Sequence, residues 1–425
     1  MRLSLTELNK EILRTIKIIG QAADKKEISA YVVGGFVRDI ILKRKNLDLD
    51  IVVEADAISV AQELSKKYQL NLTIYSQFGT ATLTFPKGLR VDLATARKEY
   101  YPRSGALPVV EPGIIKDDLF RRDFTINAMA AVINTNRLGE LVDCFGGLDD
   151  VRNKKIRVLH DKSFIDDPTR ILRAVRFEQR FDFAIERNTL TLFKSALKAG
   201  VVDGVKPARY FEEFKKILSE PDPTKYMVRL DKLNALRFLG KNFKPDFHQL
   251  HRMEQNKRSL PPGLYCFDNK EWLIYFMTFI PREESKRLVL KLNQYHFDRY
   301  EIKAVLETKG IPKIIKFFEL KKVRPSQIYR KLYPLTHLAI IYLRLSTSSK
   351  LVHKRIDDYG SKYSLVSLNI NGEDLKKLGI ATNRKMGYIL NSLLYQKIDG
   401  LLHSREEELK EARRLSSLNL EKMSV

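Results

Sequence analysis

Residues 30–53 read AYVVGGFVRDIILKRKNLDLDIVV, and the reading of this stretch decides the fold. Ala30–Val33 is a short run of β-formers, Gly34 and Gly35 interrupt it, and Ile40, Ile41 and Leu42 follow in an amphipathic pattern before a second β-rich run, Asp48–Val53. Strand, glycine turn, helix and strand are predicted in that order. Paired glycines at a strand-to-helix turn let backbone N–H groups approach a phosphate. They also serve as plain turn chemistry, and Arg38 beside Asp39 also reads as a surface ion pair. Asp48 and Asp50 stand two apart in a strand, so both carboxylates project from one face while Leu49 and Ile51 turn into the core. Like charges held this close are costly unless a cation sits between them. A divalent metal follows as the simplest reading; oxygen ligands suit Mg²⁺, with nucleotide phosphates completing its shell.

Outward from this stretch, Leu70–Tyr75, Ala81–Phe85 and Arg90–Ala94 also read as strands, with helices between the first three strands of the chain. Asp92, in Arg90-Val-Asp92-Leu, is a possible third carboxylate from a neighbouring strand or an ordinary polar strand residue. In Asp118-Leu-Phe-Arg121-Arg122-Asp123-Phe-Thr-Ile-Asn127, two adjacent arginines near a carboxylate site suit triphosphate oxygens, which a guanidinium can grip bidentately; a solvated helix start is the alternative. After about residue 160 apolar positions recur every three or four residues, broken by Pro207, Pro221-Asp-Pro223, Pro261-Pro262, Pro281 and Pro312. The expected class is α+β: an N-terminal head with a mixed β-sheet and helices, followed by an all-α remainder. No internal repeat is visible.

In Asp166-Asp167-Pro168-Thr169-Arg170-Ile-Leu-Arg173-Ala-Val-Arg176-Phe177, an aspartate before proline reads as a helix N-cap. Arg170, Arg173 and Arg176 fan over one side of that helix, and Ile171, Ala174 and Val175 pack the other. Hydrogen-bond complementarity offers a functional reading. Cytosine and adenine each show an amino donor beside a ring-nitrogen acceptor, whereas uracil and guanine show a carbonyl beside a ring N–H. A carboxylate next to a guanidinium, as Asp167 and Arg170 present one turn apart, accepts the first pair and repels the second.

The chain has 425 residues, 44% hydrophobic and 10% aromatic, with 15 prolines and 20 glycines, which excludes a disordered or linker-dominated protein. Its longest apolar runs fall well short of the roughly 20 residues that span a bilayer. Met1–Ile19 alternates charged and apolar residues at helical spacing, an amphipathic helix and not a secretory signal. Cys144 and Cys266 are the only two cysteines, so both thiols are expected free in a reducing compartment, by default the cytoplasm. The formal net charge is +24, an excess that recruits polyanions. Residues 301–350 hold 11 basic and 3 acidic residues with Tyr300, Phe317, Phe318, Tyr329 and Tyr333 in or beside them. This run is either a solvated helical surface or a face that tracks phosphates. His248 and His251 have metal-like spacing but no third partner nearby, and read as helix-surface residues; Trp272 reads as core.

Taken together, Gly34-Gly35-x-Val-Arg38-Asp39, Asp48-x-Asp50, Arg121-Arg122-Asp123-x-x-x-Asn127, Asp143-x-x-x-Gly147-x-x-Asp150 and Asp166-Asp167-x-x-Arg170 resemble, in order and spacing, the class II tRNA nucleotidyltransferases, which include the CCA-adding enzymes. Leu368-Asn-Ile-Asn-Gly372-Glu-Asp374-Leu and Leu401-Leu402-His-Ser-Arg405-Glu406-Glu407-Glu408-Leu are similar to C-terminal segments of the same family. The resemblance implies a head (1–135), a neck (136–220), a helical body (221–315) and a basic helical tail (316–425), the last two gripping the acceptor and T arms of tRNA. It implies that Asp48 and Asp50 hold Mg²⁺ and align the tRNA 3′-hydroxyl for attack on an α-phosphate. By the same resemblance Gly34, Gly35, Arg38, Arg122, Asp123 and Asn127 bind nucleotide, Asp167 and Arg170 select the base of CTP or ATP, and Arg173 and Arg176 support that helix and contact nucleotide. The family's usual Glu-Asp pair is Asp166-Asp167 here. The long connection from Ala96 to Lys116 is compatible with addition of A, so a complete CCA-adding enzyme and an A-adding enzyme of a divided system both fit. A bacterial poly(A) polymerase and a non-catalytic RNA-binding protein are the remaining alternatives.

Overall fold

The computed structural model describes the whole chain except residues 6–7, 45–47, 241–242, 244, 281–283, 383 and 419–425. The predicted break at Pro281 lies outside the described residues. Two compact units are present, Met1–Ile217 with Lys225–Lys241, and Leu218–Thr224 with Asn242–Val425.

The first unit is built on a seven-stranded mixed sheet. Its strands are β1 (Ala30–Val33), β2 (Leu49–Val53), β3 (Asn71–Tyr75), β4 (Thr80–Thr84) and β5 (Arg90–Thr95), followed by β6 (Arg97–Tyr100) and β7 (Val109–Pro112), which form a separate ribbon, and then β8 (Ala130–Val132) and β9 (Leu141–Val142). The order across the sheet is β3-β4-β5-β2-β1-β8-β9. Within this sheet, among the described residues, only β2 and β5 run parallel, with Asp50 opposite Asp92. The central strands are apolar because both faces of the sheet are covered: β1 is buried at all four positions, and β2 at all but Asp50. On one face Tyr31, Val33 and Val52 pack with Ile115, Leu119, Ala128 and Ala130. Helices α1 (Lys10–Lys25) and α3 (Ala57–Tyr68) bury Ile12, Ile16, Ile19, Val60, Ala61 and Leu64. Fully burying such a side chain is worth roughly 1.5–3 kcal/mol. Between β1 and β2 lies the short helix α2 (Gly35–Ile41).

Three local readings change. The amphipathic N-terminal helix starts at Lys10, where the Asn9 side chain caps the Glu11 N–H, and the residues before it join the sheet margin through an Arg2–Glu140 bridge. The Ala96–Lys116 connection is folded in part: β6 and β7 pair antiparallel, Arg97 opposite Pro112 and Tyr100 opposite Val109. Phe124 to Ala131 starts no long helix; Thr125–Asn127 makes one 3₁₀ turn and the chain then pairs with β1 as β8. Sheet pairing with a strand nearly 100 residues earlier outweighs local helical pattern.

After these come α4 (Ile115–Phe120), α5 (Gly147–Arg152), α6 (Ser163–Asp166), α7 (Arg170–Phe181), α8 (Arg187–Lys198) and α9 (Pro207–Leu218). Among the described residues, the regular elements of the second unit are all helices. Trp272 is core, edge-on to Phe297. The two C-terminal stretches singled out in the sequence meet there. Glu408, fully buried, accepts from the N–H groups of Asn369 and Ile370 and pairs with Lys397 at 2.6 Å, while Asp374 pairs with Arg405 at 2.6 Å. They fasten a small core that includes Leu375, Ile389, Leu393 and Ala412. His248 and His251 are exposed. No described helix is long and apolar enough to cross a membrane, and both cysteines are exposed, free thiols.

Candidate active site

A cleft of about 470 Å³ in the first unit is lined by Gly35, Arg38, Asp48, Asp50, Arg122, Asp123, Asn127, Asp167, Arg170, Arg173 and Arg176. These residues are spread over 142 positions of sequence, yet one wall after another is supplied by them. Gly34 is not among the lining residues but adjoins Arg122, and Asp92 lines a neighbouring cavity.

Asp48 and Asp50 enter from the start of β2, with Leu49 buried between them. Asp50 keeps exposed surface, but desolvation of its carboxyl in the cleft pushes it above its ordinary value; Arg122 opposes the rise, and Asp92, Asp48 and Asp118 add to it. A group of hard oxygen donors in which one carboxylate is short of positive charge fits a divalent cation. Asp92 is turned toward β4, accepting from the Thr82 hydroxyl at 2.5 Å. Among the described residues no three acidic, histidine or cysteine side chains gather at metal-binding spacing, so the donors the protein brings together are the Asp48–Asp50 pair.

The arginines are held by buried acids. Asp118, with no exposed surface, takes Arg121 at 2.7 Å and Arg122 at 3.0 Å, and Glu99 from the ribbon takes Arg121 at 3.1 Å. Arg38 is 5% exposed; it pairs with Asp39 at 2.8 Å, donates to Asn127 Oδ1 and lies over the Phe181 ring at 4.4 Å. The Arg38–Asp39 pair is therefore an interior feature and not a surface one. Asp123, 8% exposed, accepts from the Phe124 N–H, from Asn127 and from Arg173 at 2.5–2.9 Å. Burial alone would raise its carboxyl, but Arg173, Asn127 and Arg170 together lower it to about 2. The Asp143–Asp150 motif braces the same segment from behind: Asp143 caps the Gly147 and Leu148 N–H groups, and Asp150 accepts from the Thr125 hydroxyl at 2.6 Å.

Helix α7 begins at Arg170 and not at Pro168, because Asp167 caps the turn before it through Thr169, whose N–H and hydroxyl it accepts at 3.1 and 2.7 Å. Arg170 reaches Ser163 Oγ at 2.6 Å and the Arg121 carbonyl at 2.8 Å. Asp167 and Arg170 both face the cleft, and the cation that pairs with Asp167 is Arg209 of α9, at 3.0 Å. Arg209, Glu99, Tyr101 and Glu213 escaped the sequence reading. Burial pushes the Tyr101 phenol up to about 12, Arg170 opposing and Glu99 and Asp167 adding. The one available signal for Arg209 and Glu213 is their helical spacing, four apart on α9.

Gly34 meets a conformational demand of the turn. Its φ of 68° and ψ of −129° belong to a region that only glycine occupies without strain, and a Cβ there would stand 2.4 Å from Arg122 Nη1. Gly34→Ala is expected to destabilise the first unit by about 1–3 kcal/mol, read as a lower denaturant midpoint.

In the second unit Lys316, Lys321, Lys322, Arg324, Arg330 and Lys331 are exposed. Tyr333, 66% exposed, stacks on Tyr329 with centroids 5.0 Å apart, and Arg330 lies over Tyr395. Cations interleaved with aromatic faces suit a single-stranded or looped nucleic acid.

Comparison with known proteins agrees with this architecture. Residues 30–157 match the model of the "Poly A polymerase head domain", and residues 182–247 that of the "Probable RNA and SrmB- binding site of polymerase A". An A-adding tRNA nucleotidyltransferase of Geobacter sulfurreducens is 34% identical over 418 residues, 96% of this chain and 48% of that protein; the chain spans about half the length of that relative. The CCA-adding enzyme of Streptococcus agalactiae is 32% identical over 95% of this chain and 97% of its own length. The solved Thermotoga maritima CCA-adding enzyme complexed with tRNA superposes with a TM-score of 0.76 at 33% identity, covering 99% of both chains. The fold and cleft thus fall in the class built on a poly(A) polymerase head. The chain belongs to the tRNA nucleotidyltransferase family.

Proposed function

We propose that the protein adds nucleotides from CTP and ATP to the 3′ end of tRNA, without a nucleic-acid template, to build or repair the CCA terminus. The observation that carries this reading is the convergence of paired carboxylates, arginines and the Asp167–Arg170 edge in one cleft. Likeness to a CCA-adding enzyme solved with tRNA supports tRNA as the acceptor.

Asp48 and Asp50 would hold the divalent ion, Mg²⁺ by the preference of carboxylate and phosphate oxygens. When bound, Mg²⁺ supplies charge neutralisation to the triphosphate and its leaving pyrophosphate. The protein's own groups do the remainder. Arg38 and Arg122 offer guanidinium donors to phosphate oxygens beside the Gly34–Gly35 turn. Asp123 and Asn127 orient Arg173 and Arg38, and Arg173 and Arg176 keep α7 against the head. Asp167 accepts the exocyclic amino group of cytosine or adenine while Arg170 donates to the neighbouring ring nitrogen. Uracil and guanine present the reversed pattern and leave buried polar groups unpaired, the strongest form of rejection a site can exert. Residues 1–135 form the head in this reading, 136–220 the neck, 221–315 the body and 316–425 a tail whose basic aromatic face tracks tRNA phosphates. The two free thiols fit work in the cytoplasm.

A second reading, addition of the terminal A alone, is favoured by the likeness to the A-adding enzyme of Geobacter. Purified protein with Mg²⁺ and tRNAs ending at the discriminator base, after the first C or after the second C separates the two when products are resolved at single-nucleotide length. CCA added to the shortest tRNA, with arrest after A, is expected. A single A on the CC-ending tRNA alone establishes the second reading. An unbounded A tail, or no metal-dependent incorporation by folded protein, overturns both.

A further inference from the structure

We propose that β3 is a docking edge for a second copy of this chain, and that two copies pair β3 to β3 about a two-fold axis through Thr73. The seven-stranded sheet ends in two edges, β9 and β3. The β9 edge is closed by the first residues of the chain: the Leu141 N–H donates to the Met1 carbonyl at 3.0 Å, the Leu3 N–H to the Gly139 carbonyl at 2.7 Å, and Arg2 bridges to Glu140. On β3, Asn71–Tyr75 pair with β4 on one side, and no described strand lies on the other. Backbone N–H and C=O groups along an open side are a ready template for a further strand.

The edge lacks the devices that keep such strands apart. A charge, a proline or a bulge would blunt it. Residues 68–86 contain no Asp, Glu, Lys or Arg, in a chain that has 76 basic and 52 acidic residues. The five residues of β3 include no proline and pair one to one with β4, so no bulge turns the strand away. Tyr68, Ile74, Tyr75 and Phe78 are exposed along it.

A second copy is the occupant that this edge fits, because the edge is complementary to itself. Antiparallel pairing centred on Thr73 sets Thr73 against its own copy, Leu72 against Ile74 and Asn71 against Tyr75. Strand alternation keeps these pairs on matching faces. Leu72 and Ile74 share the face of their β4 partners Leu83 and Ala81, both buried, while Thr73 and Tyr75 share that of Thr82 and Thr80. Tyr68 and Phe78 stand at equal distances in sequence on either side of Thr73, so each end of the joint receives one exposed ring from each copy. Lys66 and Lys67 of one copy fall at the opposite end from those of the other, much farther apart than the screening length of about 8 Å. Pairing of one patch with itself closes on two copies and does not propagate.

The test is sedimentation equilibrium of the full chain from about 1 to about 100 μM, for wild type, Thr73→Lys, Thr73→Glu and an equimolar mixture of the two variants, with melting temperatures that show folded protein. Wild type is expected to be dimeric at the upper end of this range. Either variant alone sets like charges face to face at the axis and is expected to weaken association by about 10-fold or more. The mixture sets Lys against Glu and is expected to restore it. Phe78→Asp, outside the strand, probes the same joint if a change at Thr73 disturbs folding, and is expected to weaken association likewise. A wild type that stays monomeric at the highest concentration overturns the proposal, and so does a dimer whose strength none of the variants changes. Weakening by both Thr73 variants without recovery in their mixture overturns the pairing centred on Thr73.

Discussion

In a chelating buffer Asp50→Asn is expected to melt no lower than the wild type, while its nucleotide incorporation falls by about 10³-fold or more. The two halves have one cause. Asp50 is raised above its ordinary value of 3.8 by desolvation in the cleft, with Asp92, Asp48 and Asp118 adding to the rise against Arg122. A carboxyl raised on folding contributes its full stability below the unfolded value and loses it as pH rises through the folded one. At neutral pH the ionised group therefore opposes folding, and the amide relieves that opposition. A divalent ion held by the folded form alone would relieve it too. Added Mg²⁺ is expected to raise the melting temperature of the wild type and to leave Asp50→Asn nearly unmoved. Thermal melts with and without Mg²⁺, beside incorporation on tRNA, check both halves. An Asp50→Asn that melts below wild type in chelator would show that the carboxylate is satisfied by the protein alone.

Asp123→Ala is expected to destabilise the first unit by about 3–5 kcal/mol. The side chain is 8% exposed, and its removal takes one of the two acids from Arg173, leaving Glu213, and frees the Asn127 amide that steadies Arg38. Asp123→Asn keeps the shape and loses the charge, and is expected to cost less. Asp123 also ties stability to pH. Its carboxyl falls from the ordinary 3.8 to about 2 on folding, because Arg173, Asn127 and Arg170 together outweigh the effect of burial. Its stabilisation is present above the unfolded value and is lost as pH falls from about 4 to about 2. Denaturation followed over that window should be shallower for Asp123→Asn than for wild type. Identical pH slopes would mean that the buried pair contributes nothing through its charge.

The central strands were legible because each is a short run in which period and burial agree: Ala30–Val33 is β1, and the Asp48–Val53 run differs from β2 by one residue. The helical remainder was legible from its three- and four-residue spacing. What sequence could not reveal depends on partners distant in the chain. The ribbon opens on three consecutive charged residues, Arg97-Lys98-Glu99, and carries Pro112 opposite the first of them, so neither run reads as a strand by itself. Ala130–Val132 is too short an apolar run to read as a strand until β1 is beside it. In the cleft, each candidate residue type could be argued from local chemistry, but the pairings could not. Arg170 looks like the natural partner of Asp167 one turn away, whereas the cation bound to Asp167 is Arg209, and the arginines at 121 and 122 are both tied to Asp118. Long-range ion pairs leave no periodic trace in sequence. The C-terminal stretches, whose residues suggested function by resemblance, hold a local core together through Glu408 and Asp374.

The most direct test of base selection by Asp167 and Arg170 compares ATP with inosine triphosphate on a tRNA ending in CC. The two differ only where the proposed reader looks: inosine exchanges the amino donor for a carbonyl and the ring-nitrogen acceptor for an N–H, with sugar, phosphates and ring shape retained. Selection on that edge predicts that kcat/KM for inosine triphosphate is lower by about 10³-fold or more, close to that for GTP. Incorporation of inosine at a rate near that of A would contradict the account, because the cleft would then be choosing by shape and not by the edge that Asp167 and Arg170 present.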